Sequence, residues 1–315
     1  MEYAFGDAYL QPATGMSKIR ILYRDFDRAP YLFTLQATAK RLGLDVALTK
    51  AELGGRFPEF LLEGATDFLA ENYWQLQALR AKGQPLVSVA TAVSTLNEKL
   101  FVHPSIRTPG DLRGKKLAIR GMGPSQLIPG LWLKDHGLAD EVQAVTVSED
   151  EVGRWGQWKK VVTGECHGTF VTNFYQDEPR AAGLKELDAE PYGFIGNVTL
   201  TTTESFAASR REEVQKLVEA AFDASRLFKH DPAAALDICM REPVKLLKLD
   251  GRAAMERIYR ILRDELSEQP IPTAEGIANT RRMALPRMPE LADFNPLVMW
   301  DLSFARAALV KRQNG

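Results

Sequence analysis

Charged and aromatic side chains are concentrated in the five residues from Arg24 to Arg28, which read Arg-Asp-Phe-Asp-Arg. A guanidinium group can donate two parallel hydrogen bonds to a carboxylate or a sulfonate. Arg24 and Arg28 are therefore candidate ligands for a small organic anion, with the carboxyl group of Asp27 beside them. The alternative is a solvated turn whose charges pair with one another, and the pattern leaves both interpretations open.

A second polar cluster, Glu71-Asn72-Tyr73-Trp74, combines an acid and an amide with two aromatic rings. Tyr73 and Trp74 could stack on a planar ligand while Asn72 orients it. For Trp74 we favour the alternative that it opens the buried face of a helix. Glu71 and Asn72 are predicted to contact the ligand.

A glycine-rich loop follows a predicted strand at 117–120. Gly121 and Gly123 allow the backbone to approach a ligand closely, and Ser125 adds a hydroxyl group beside backbone N–H groups that suit an anion. Pro129 favours a helix that begins there, because a proline inside a helix removes one hydrogen bond. The loop is therefore predicted to be long enough to line a binding site.

A further candidate contact lies at the end of an apolar strand that begins near Cys166. Thr172 and Asn173 offer a hydroxyl and an amide there, and Tyr175 adds an aromatic wall. Asn197 is a weaker addition from a later strand.

Cys166 and His167 are adjacent, which invites a nucleophile and base interpretation. Neighbouring residues on a strand point to opposite faces, so these two side chains cannot form a hydrogen-bonded pair. We therefore interpret Cys166 as a buried thiol. The histidines lack the spacing of a metal site, and no metal or other cofactor is expected.

The elements that must position these residues alternate between strand and helix. Strands are predicted at 19–23, 45–48, 67–70, 86–91, 117–120, 142–147 and 166–171, with a β-rich stretch at 194–202. Helices are predicted at 31–42, 57–63, 73–81, 128–136, 149–163 and repeatedly from 210 onward. This alternation indicates a mainly parallel α/β sheet covered by helices, which binds ligands beyond the carboxyl ends of its strands.

Composition restricts the function further. A chain of 315 residues suits two lobes, and a net charge of −1 without a basic tract argues against nucleic acid as a partner. No apolar run approaches the ~20 residues that span a bilayer, so membrane insertion is not expected. These features predict a soluble globular protein.

The N-terminal residues 1–15 contain neither the basic nor the apolar region of a secretory signal. We expect residues 1–17 to form a disordered head. The expected localisation of the chain as given is cytoplasmic, and it becomes periplasmic if a signal was removed.

The segment 105–119 contains the most specific pattern in the chain. Thr108 can cap a short helix, Pro109 suits its first position, and Asp111 lies in its first turn. Gly114 can end that helix before a strand begins at Leu117.

The sequence of this segment resembles the one that opens the second lobe of type II periplasmic solute-binding proteins. Residues 64–68, 164–168 and 201–206 are similar to three further motifs of that family, although His167 replaces its usual aspartate. The resemblance is closest to the sulfonate-binding and thiamin-pyrimidine-synthase-like (NMT1/THI5-like) branch.

The resemblance implies a two-lobed type II periplasmic-binding-protein-like fold with a ligand cleft between the lobes. Lobe one would contain residues 18–98 and 203–315, and lobe two residues 99–202. It further implies that the chain binds a small organic anion, such as an aromatic carboxylate or a sulfonate, as the receptor of an ABC permease.

The alternative is a cytosolic enzyme on the same scaffold, for which an aromatic-acid decarboxylase is the best precedent. Arg24 or Arg28 would hold the departing carboxylate, and Asp27 or Glu71 would supply the proton. The desulfinase precedent needs a cysteine in the cleft, and thiamin-type pyrimidine synthesis needs a cysteine-rich run, so both fit less well. A cytosolic ligand sensor is a third interpretation.

Overall fold

The structure, a computed structural model, describes residues 17–24, 26–51, 57–120, 127–187, 189 and 191–313. It divides into two compact units. The described residues within 17–93, 196–272 and 296–313 form unit 1, and those within 94–195 and 273–295 form unit 2.

The strands of these described ranges are β1 (Ser17–Tyr23), β2 (Leu44–Lys50), β3 (Phe68–Glu71), β4 (Leu86–Thr91), β5 (Thr95–Leu96), β6 (Glu98–Val102), β7 (Lys116–Arg120), β8 (Gln143–Val147), β9 (Gly168–Thr172), β10 (Lys185–Leu187), β11 (Tyr192–Gly193) and β12 (Thr199–Thr203).

The α-helices in the same ranges are α1 (Ala29–Arg41), α2 (Phe57–Leu62), α3 (Tyr73–Ala81), α4 (Leu127–Asp135), α5 (Glu149–Val152), α6 (Lys159–Val162), α7 (Asp177–Ala181), α8 (Glu204–Ser209), α9 (Arg211–His230), α10 (Pro232–Cys239), α11 (Glu242–Leu246), α12 (Gly251–Glu265), α13 (Ala274–Ala284) and α14 (Ser303–Gln313). Short 3₁₀ turns cover Phe26–Arg28, Pro109–Leu112, Gly156–Trp158, Asn173–Tyr175, Pro289–Leu291 and Pro296–Met299.

The described strands of unit 1 form a five-stranded sheet in the order β2-β1-β3-β12-β4. β1 is parallel to β2 and to β3, and its Ile21 lies opposite Leu48 and Phe68. β12 is antiparallel to both β3 and β4. β1 to β4 therefore share one direction, and their carboxyl ends lie at a single edge of the sheet.

Unit 2 repeats this topology in its own described sheet, whose order is β10-β6-β9-β7-β8. β7 is parallel to β8 and to β9, whereas β6 is antiparallel to β9 and to β10. Read from β8, the order matches that of unit 1, and β7 occupies the place of β1. A small ribbon of β5 and β11 adds to this unit.

Helix packing on unit 1 fixes the start of α1, directly after the charged turn. Tyr31, Leu35 and Thr38 are buried and lie at helical spacing. The Tyr31 hydroxyl donates to the Ala221 carbonyl at 3.2 Å, and the Thr38 hydroxyl donates to the Ala220 carbonyl at 2.8 Å. α1 is therefore locked onto α9 by polar contacts as well as by apolar burial.

The predicted single helix at 149–163 is wrong. The structure has α5, a 3₁₀ turn and α6 in its place. Gly153 and Trp155 adopt left-handed backbone angles, with φ of 83° and 59°, and such residues cannot continue a right-handed helix. The prediction of mainly parallel pairing also needs correction, because β6 and β12 each run against their neighbours.

The observed units differ from the predicted lobes mainly at 273–295, which the prediction gave to lobe one, and by a few residues at 94–98 and 196–202. α13 packs on β11 within unit 2, where the Thr280 hydroxyl accepts from the Ile195 N–H at 2.9 Å. The Asn279 side-chain amide also donates to the Gly193 carbonyl at 3.1 Å. Ser17, predicted to end the head, is the first residue of β1. Residues 1–16 lie outside the described residues.

Across the described ranges, no helix combines the length and the apolar character that crossing a membrane requires.

Candidate functional site

The carboxyl-terminal edge of the unit 1 sheet contains an arginine with a fixed position. Arg24 directly follows β1, and its Nε lies 3.2 Å from Oε2 of Glu71, the last residue of the adjacent β3. The guanidinium also lies 4.7 Å from the ring centroid of Phe57. The Arg24 side chain is 27% exposed and that of Glu71 only 3%. Within the described ranges its two Nη groups donate no hydrogen bond.

Glu71 is itself held in place by local backbone. Its Oε1 accepts a hydrogen bond from the Asn72 N–H at 2.8 Å. Asn72 precedes α3, and its Oδ1 is buried without a hydrogen-bond partner among the described residues. The structure thus brings the predicted contacts Arg24, Glu71 and Asn72 to one edge.

Arg28, another predicted contact, is enclosed in the protein. Its Nη2 lies 2.7 Å from Oε2 of Glu265, and the two side chains are 8% and 3% exposed. Glu265 is the last residue of α12, more than 200 positions away in the sequence, and sequence reasoning missed it. Asp27 is half-buried in the same 3₁₀ turn. The Arg28 side chain joins this turn to the C-terminal helices of unit 1.

Tyr73 is an internal residue, contrary to the stacking role considered for it. Its ring stacks on Trp300 at 5.1 Å between centroids, and its hydroxyl donates to the Pro296 carbonyl at 3.1 Å. The same hydroxyl accepts from the Trp300 indole N–H. Burial raises the pKa of Tyr73 above its ordinary value. Trp74 is half-buried, and its indole N–H has no hydrogen-bond partner in the described part of the chain.

The carboxyl-terminal edge of the unit 2 sheet also carries an arginine, which sequence reasoning missed. Arg120 is the last residue of β7, and its Nε lies 2.5 Å from Oε1 of Glu149 on α5. Its guanidinium carbon lies 4.3 Å from the ring centroid of Trp155. The signal available in the sequence was its position, directly before the glycine loop at 121.

Trp155 is held in a strained conformation beside this arginine. A φ of 59° is rare for a bulky side chain and costs about 1–2 kcal/mol. The residue is nevertheless only 8% exposed, and its ring lies nearly parallel to that of Tyr175, with centroids 5.9 Å apart. Tyr175 in turn packs against the apolar core of unit 2. Contacts around the ring therefore compensate for the strain in its backbone.

Thr172 and Asn173 lie at the end of β9, which pairs with β7, so they share this edge with Arg120. Thr172 is 8% exposed and lies opposite the buried Glu98. The Asn173 side-chain carbonyl accepts from the Gln176 amide at 2.6 Å. Asn173 is therefore oriented by an internal contact. The other predicted contacts in this unit, Gly121, Gly123 and Ser125, lie outside the described residues.

The interpretation of Cys166 as a buried thiol is confirmed. Cys166 is 2% exposed within the core of unit 2, and burial is the main cause of the raised pKa of its thiol. Burial, followed by nearby lysines, lowers the pKa of His167. A thiol with a raised pKa is a poor nucleophile at neutral pH. In the described ranges, no group of three histidine, cysteine or acidic residues is arranged to hold a metal ion.

The chain belongs to the NMT1/THI5-like family, whose sequence model matches residues 40–235 of the 315 residues in the chain. This confirms the resemblance to that branch. No curated protein matches the sequence.

Several solved structures share the fold. A protein described as a putative periplasmic sulfonate-binding protein, SsuA, from Methylobacillus flagellatus is 18% identical with a TM-score of 0.70, over 95% of each chain. The aliphatic sulphonate-binding SsuA of Escherichia coli is 15% identical with a TM-score of 0.66, over 92% of this chain and 94% of that one. The desulfurization enzyme DszB is 14% identical with a TM-score of 0.63, over 93% and 99%. The fold is therefore the two-lobed type II periplasmic-binding-protein fold, which the sequence predicted.

Proposed function

We propose that this chain is the solute-binding component of an ABC-type importer and that it binds a small organic anion, a carboxylate or a sulfonate. The observation that supports this most directly is the state of Arg24. Its guanidinium is held on one side by Glu71 and Phe57, while its Nη groups donate no hydrogen bond to any described residue. A guanidinium in this state can receive an acidic group without first losing conformational freedom.

Glu71 and Asn72 complete the proposed contact surface of unit 1. The Glu71 carboxylate keeps the arginine in place. The Oδ1 of Asn72 is buried without a partner among the described residues, and a small side-chain rotation would let it accept from a hydroxyl or amino group of the solute. Asp27 remains a proposed contact in the adjacent turn. We assign Arg28 a different task, because its charge is already paired with Glu265 inside the protein.

Thr172 and Asn173 are the proposed contacts on unit 2, together with the loop that carries Gly121, Gly123 and Ser125. The ligand cleft between lobes that the resemblance implies stays a prediction. Both SsuA proteins of this fold named above are described as sulfonate-binding, which is consistent with an acidic solute.

Partner and location follow from the same proposal. A receptor for an importer works outside the cytosol and docks on a permease, so we propose a periplasmic protein with an ABC permease as its partner. The described residues offer no observation in favour of a decarboxylase. The desulfinase precedent needs a cysteine in the cleft, whereas both cysteines of this chain are buried. Binding is therefore the function that we put forward.

A thermal-shift screen of the purified protein against benzoate, benzenesulfonate and ethanesulfonate tests the proposal. Calorimetry then gives the dissociation constant, and chromatography shows whether the compound is recovered unchanged. Arg24→Gln should weaken binding at least about tenfold, because a hydrogen bond to a charged group contributes about 1.5–3 kcal/mol. Arg80→Gln is the matched control, since Arg80 lies at the far end of α3 and pairs with Glu204.

The control variant should bind within about twofold of the wild type once it is shown to be folded, because the change lies away from the site. Consumption of a compound would show that the protein is an enzyme and would contradict the proposal that it only binds its solute. Binding that survives Arg24→Gln unchanged would remove Arg24 from the site.

A further inference from the structure

We propose that Arg120 forms a second anion-binding site, on unit 2, and that Glu149 and Trp155 are its positioning residues. The proposal rests on the function put forward above and extends it to a residue that no motif pointed to. The acidic group that Arg120 would bind is a carboxylate or a sulfonate of a small organic acid.

Topology makes Arg120 the counterpart of Arg24. β1 and β7 hold the same place in their sheets, each being parallel to the strand on either side. Arg24 is the first residue after β1, and Arg120 is the last residue of β7. Each side chain therefore stands at the edge where an open sheet of parallel strands binds its ligand.

The local geometry is also repeated. In both cases a glutamate contacts Nε, at 3.2 Å for Arg24 and at 2.5 Å for Arg120. In both cases an aromatic ring lies under the guanidinium, at 4.7 Å and at 4.3 Å. Among the described residues the Nη groups of Arg120 have no hydrogen-bond partner, and its side chain is 20% exposed.

These contacts leave the guanidinium able to bind an anion. Glu149 occupies the Nε side and is 39% exposed, so it is partly hydrated, and no described residue accepts a hydrogen bond from the Nη groups that would bind a second carboxylate or sulfonate. Trp155 covers one face of the cation and restricts rotation of the side chain. A planar acidic group can then approach in the guanidinium plane and accept two parallel hydrogen bonds.

Trp155 acts on Arg120 and does not itself present a stacking surface. Its ring is almost fully buried against Arg120 and Tyr175. A left-handed residue of this size persists only where its surroundings hold it, and strain of this kind is concentrated at functional sites. We therefore interpret the turn at 153–156 as the local structure that positions the Trp155 ring under Arg120.

Arginine modification tests this site separately from the first. Phenylglyoxal reacts with accessible guanidinium groups, and peptide mass spectrometry reports each arginine separately. Benzenesulfonate, benzoate and ethanesulfonate are the probes, each used at saturation. We expect a probe that binds to protect Arg120 as well as Arg24. Arg113 should react equally with and without it, because it is 59% exposed and has a glutamate partner but no described ring contact.

Three outcomes separate the two proposals. Protection of both Arg24 and Arg120 supports the second site. Protection of Arg24 alone overturns it and leaves the proposed function standing. If none of the three probes shifts the melting temperature or protects Arg24, the proposed function fails and this inference fails with it.

The affinities of variants provide a second measurement, which distinguishes anion binding by Arg120 from a purely structural role. Arg120→Gln should raise the dissociation constant of the protective probe at least about tenfold, whereas Arg113→Gln should leave it within about twofold. Trp155→Leu should weaken binding, and Trp155→Phe should restore much of it because a ring is again present. Equal affinity for the phenylalanine and leucine variants, both shown to be folded by circular dichroism, would exclude a positioning role for the ring.

Discussion

The carboxyl-terminal edges of the two sheets carry the same chemical group in different settings. Around Arg24, the glutamate belongs to the neighbouring strand and is 3% exposed. Around Arg120, the glutamate belongs to a four-residue helix and is 39% exposed, and the ring comes from a left-handed residue. A side chain held by adjacent strands is positioned more rigidly than one held by short connecting segments. We infer that the Arg24 side chain is held more rigidly by its glutamate than the Arg120 side chain is by Glu149.

Unit 1 has a second internal ion pair behind its edge, between Arg28 and Glu265. Removing one partner of a buried pair leaves a charge without compensation, which costs about 3–5 kcal/mol. Arg28→Met or Glu265→Leu should lower the free energy of unfolding by that amount, measured by urea denaturation. This is the largest effect that we expect.

The double variant Arg28→Met, Glu265→Leu is the control for this pair. Apolar residues of similar volume can replace a buried ion pair with little loss of stability, so the double variant should recover most of the deficit. A single variant as stable as the wild type would show that the remaining charge is not buried without compensation.

The two glutamates that hold the arginines should differ in their effect on stability. Glu71→Gln should cost about 1–3 kcal/mol, because it replaces a buried charged acceptor that contacts Arg24. Glu149→Gln should cost less than about 1 kcal/mol, as for other exposed ion pairs. Thermal denaturation of both variants measures the difference. Equal losses would contradict the inferred difference in rigidity between the Arg24 and Arg120 side chains.

A smaller, pH-dependent effect is expected at the opposite edge of the unit 2 sheet. The carboxylate of Asp111 accepts from the backbone N–H groups of Arg107 and Thr108, at 2.8 Å and 2.9 Å. These bonds lower the pKa of Asp111 below its ordinary value of 3.8. Because its pKa is lower in the folded state, its stabilisation is complete above the ordinary value and is lost as pH falls through the folded one.

Asp111→Asn should therefore lower the melting temperature at pH 7, and the difference from the wild type should shrink in acid. Melting curves from pH 7 to the most acidic pH at which the protein stays folded give this profile. A difference that stays constant with pH would show that the carboxylate charge is not responsible.

The smallest effect concerns the two cysteines, one in each unit. Cys166 is 2% exposed and Cys239 is fully buried, and burial raises the pKa of both thiols, that of Cys239 to about 12. Neither thiol should react with Ellman's reagent until the protein unfolds. Rapid reaction of Cys166 in the native protein would reopen a catalytic role for it.

Local patterns in the sequence predicted many elements closely. α3 and β4 have the predicted bounds, 73–81 and 86–91, because helical spacing and β-branched residues act over a few neighbours. Where one residue overrides the pattern, local reasoning fails, as it did for the helix at 149–163. Its apolar spacing was helical, but the left-handed Trp155 is maintained by Tyr175, twenty positions further along the chain.

The sequence by itself determined the family, the alternation of strands and helices and the candidacy of Arg24, which follows directly from its place after the first strand. Only the tertiary structure decided which charges are paired. Arg28 contacts Glu265 and Arg120 contacts Glu149 and Trp155, across 237, 29 and 35 positions of sequence. Whether an arginine binds a solute or supports the fold depends on such partners, because the charge of a side chain is local but its neutralisation depends on residues that only folding brings together.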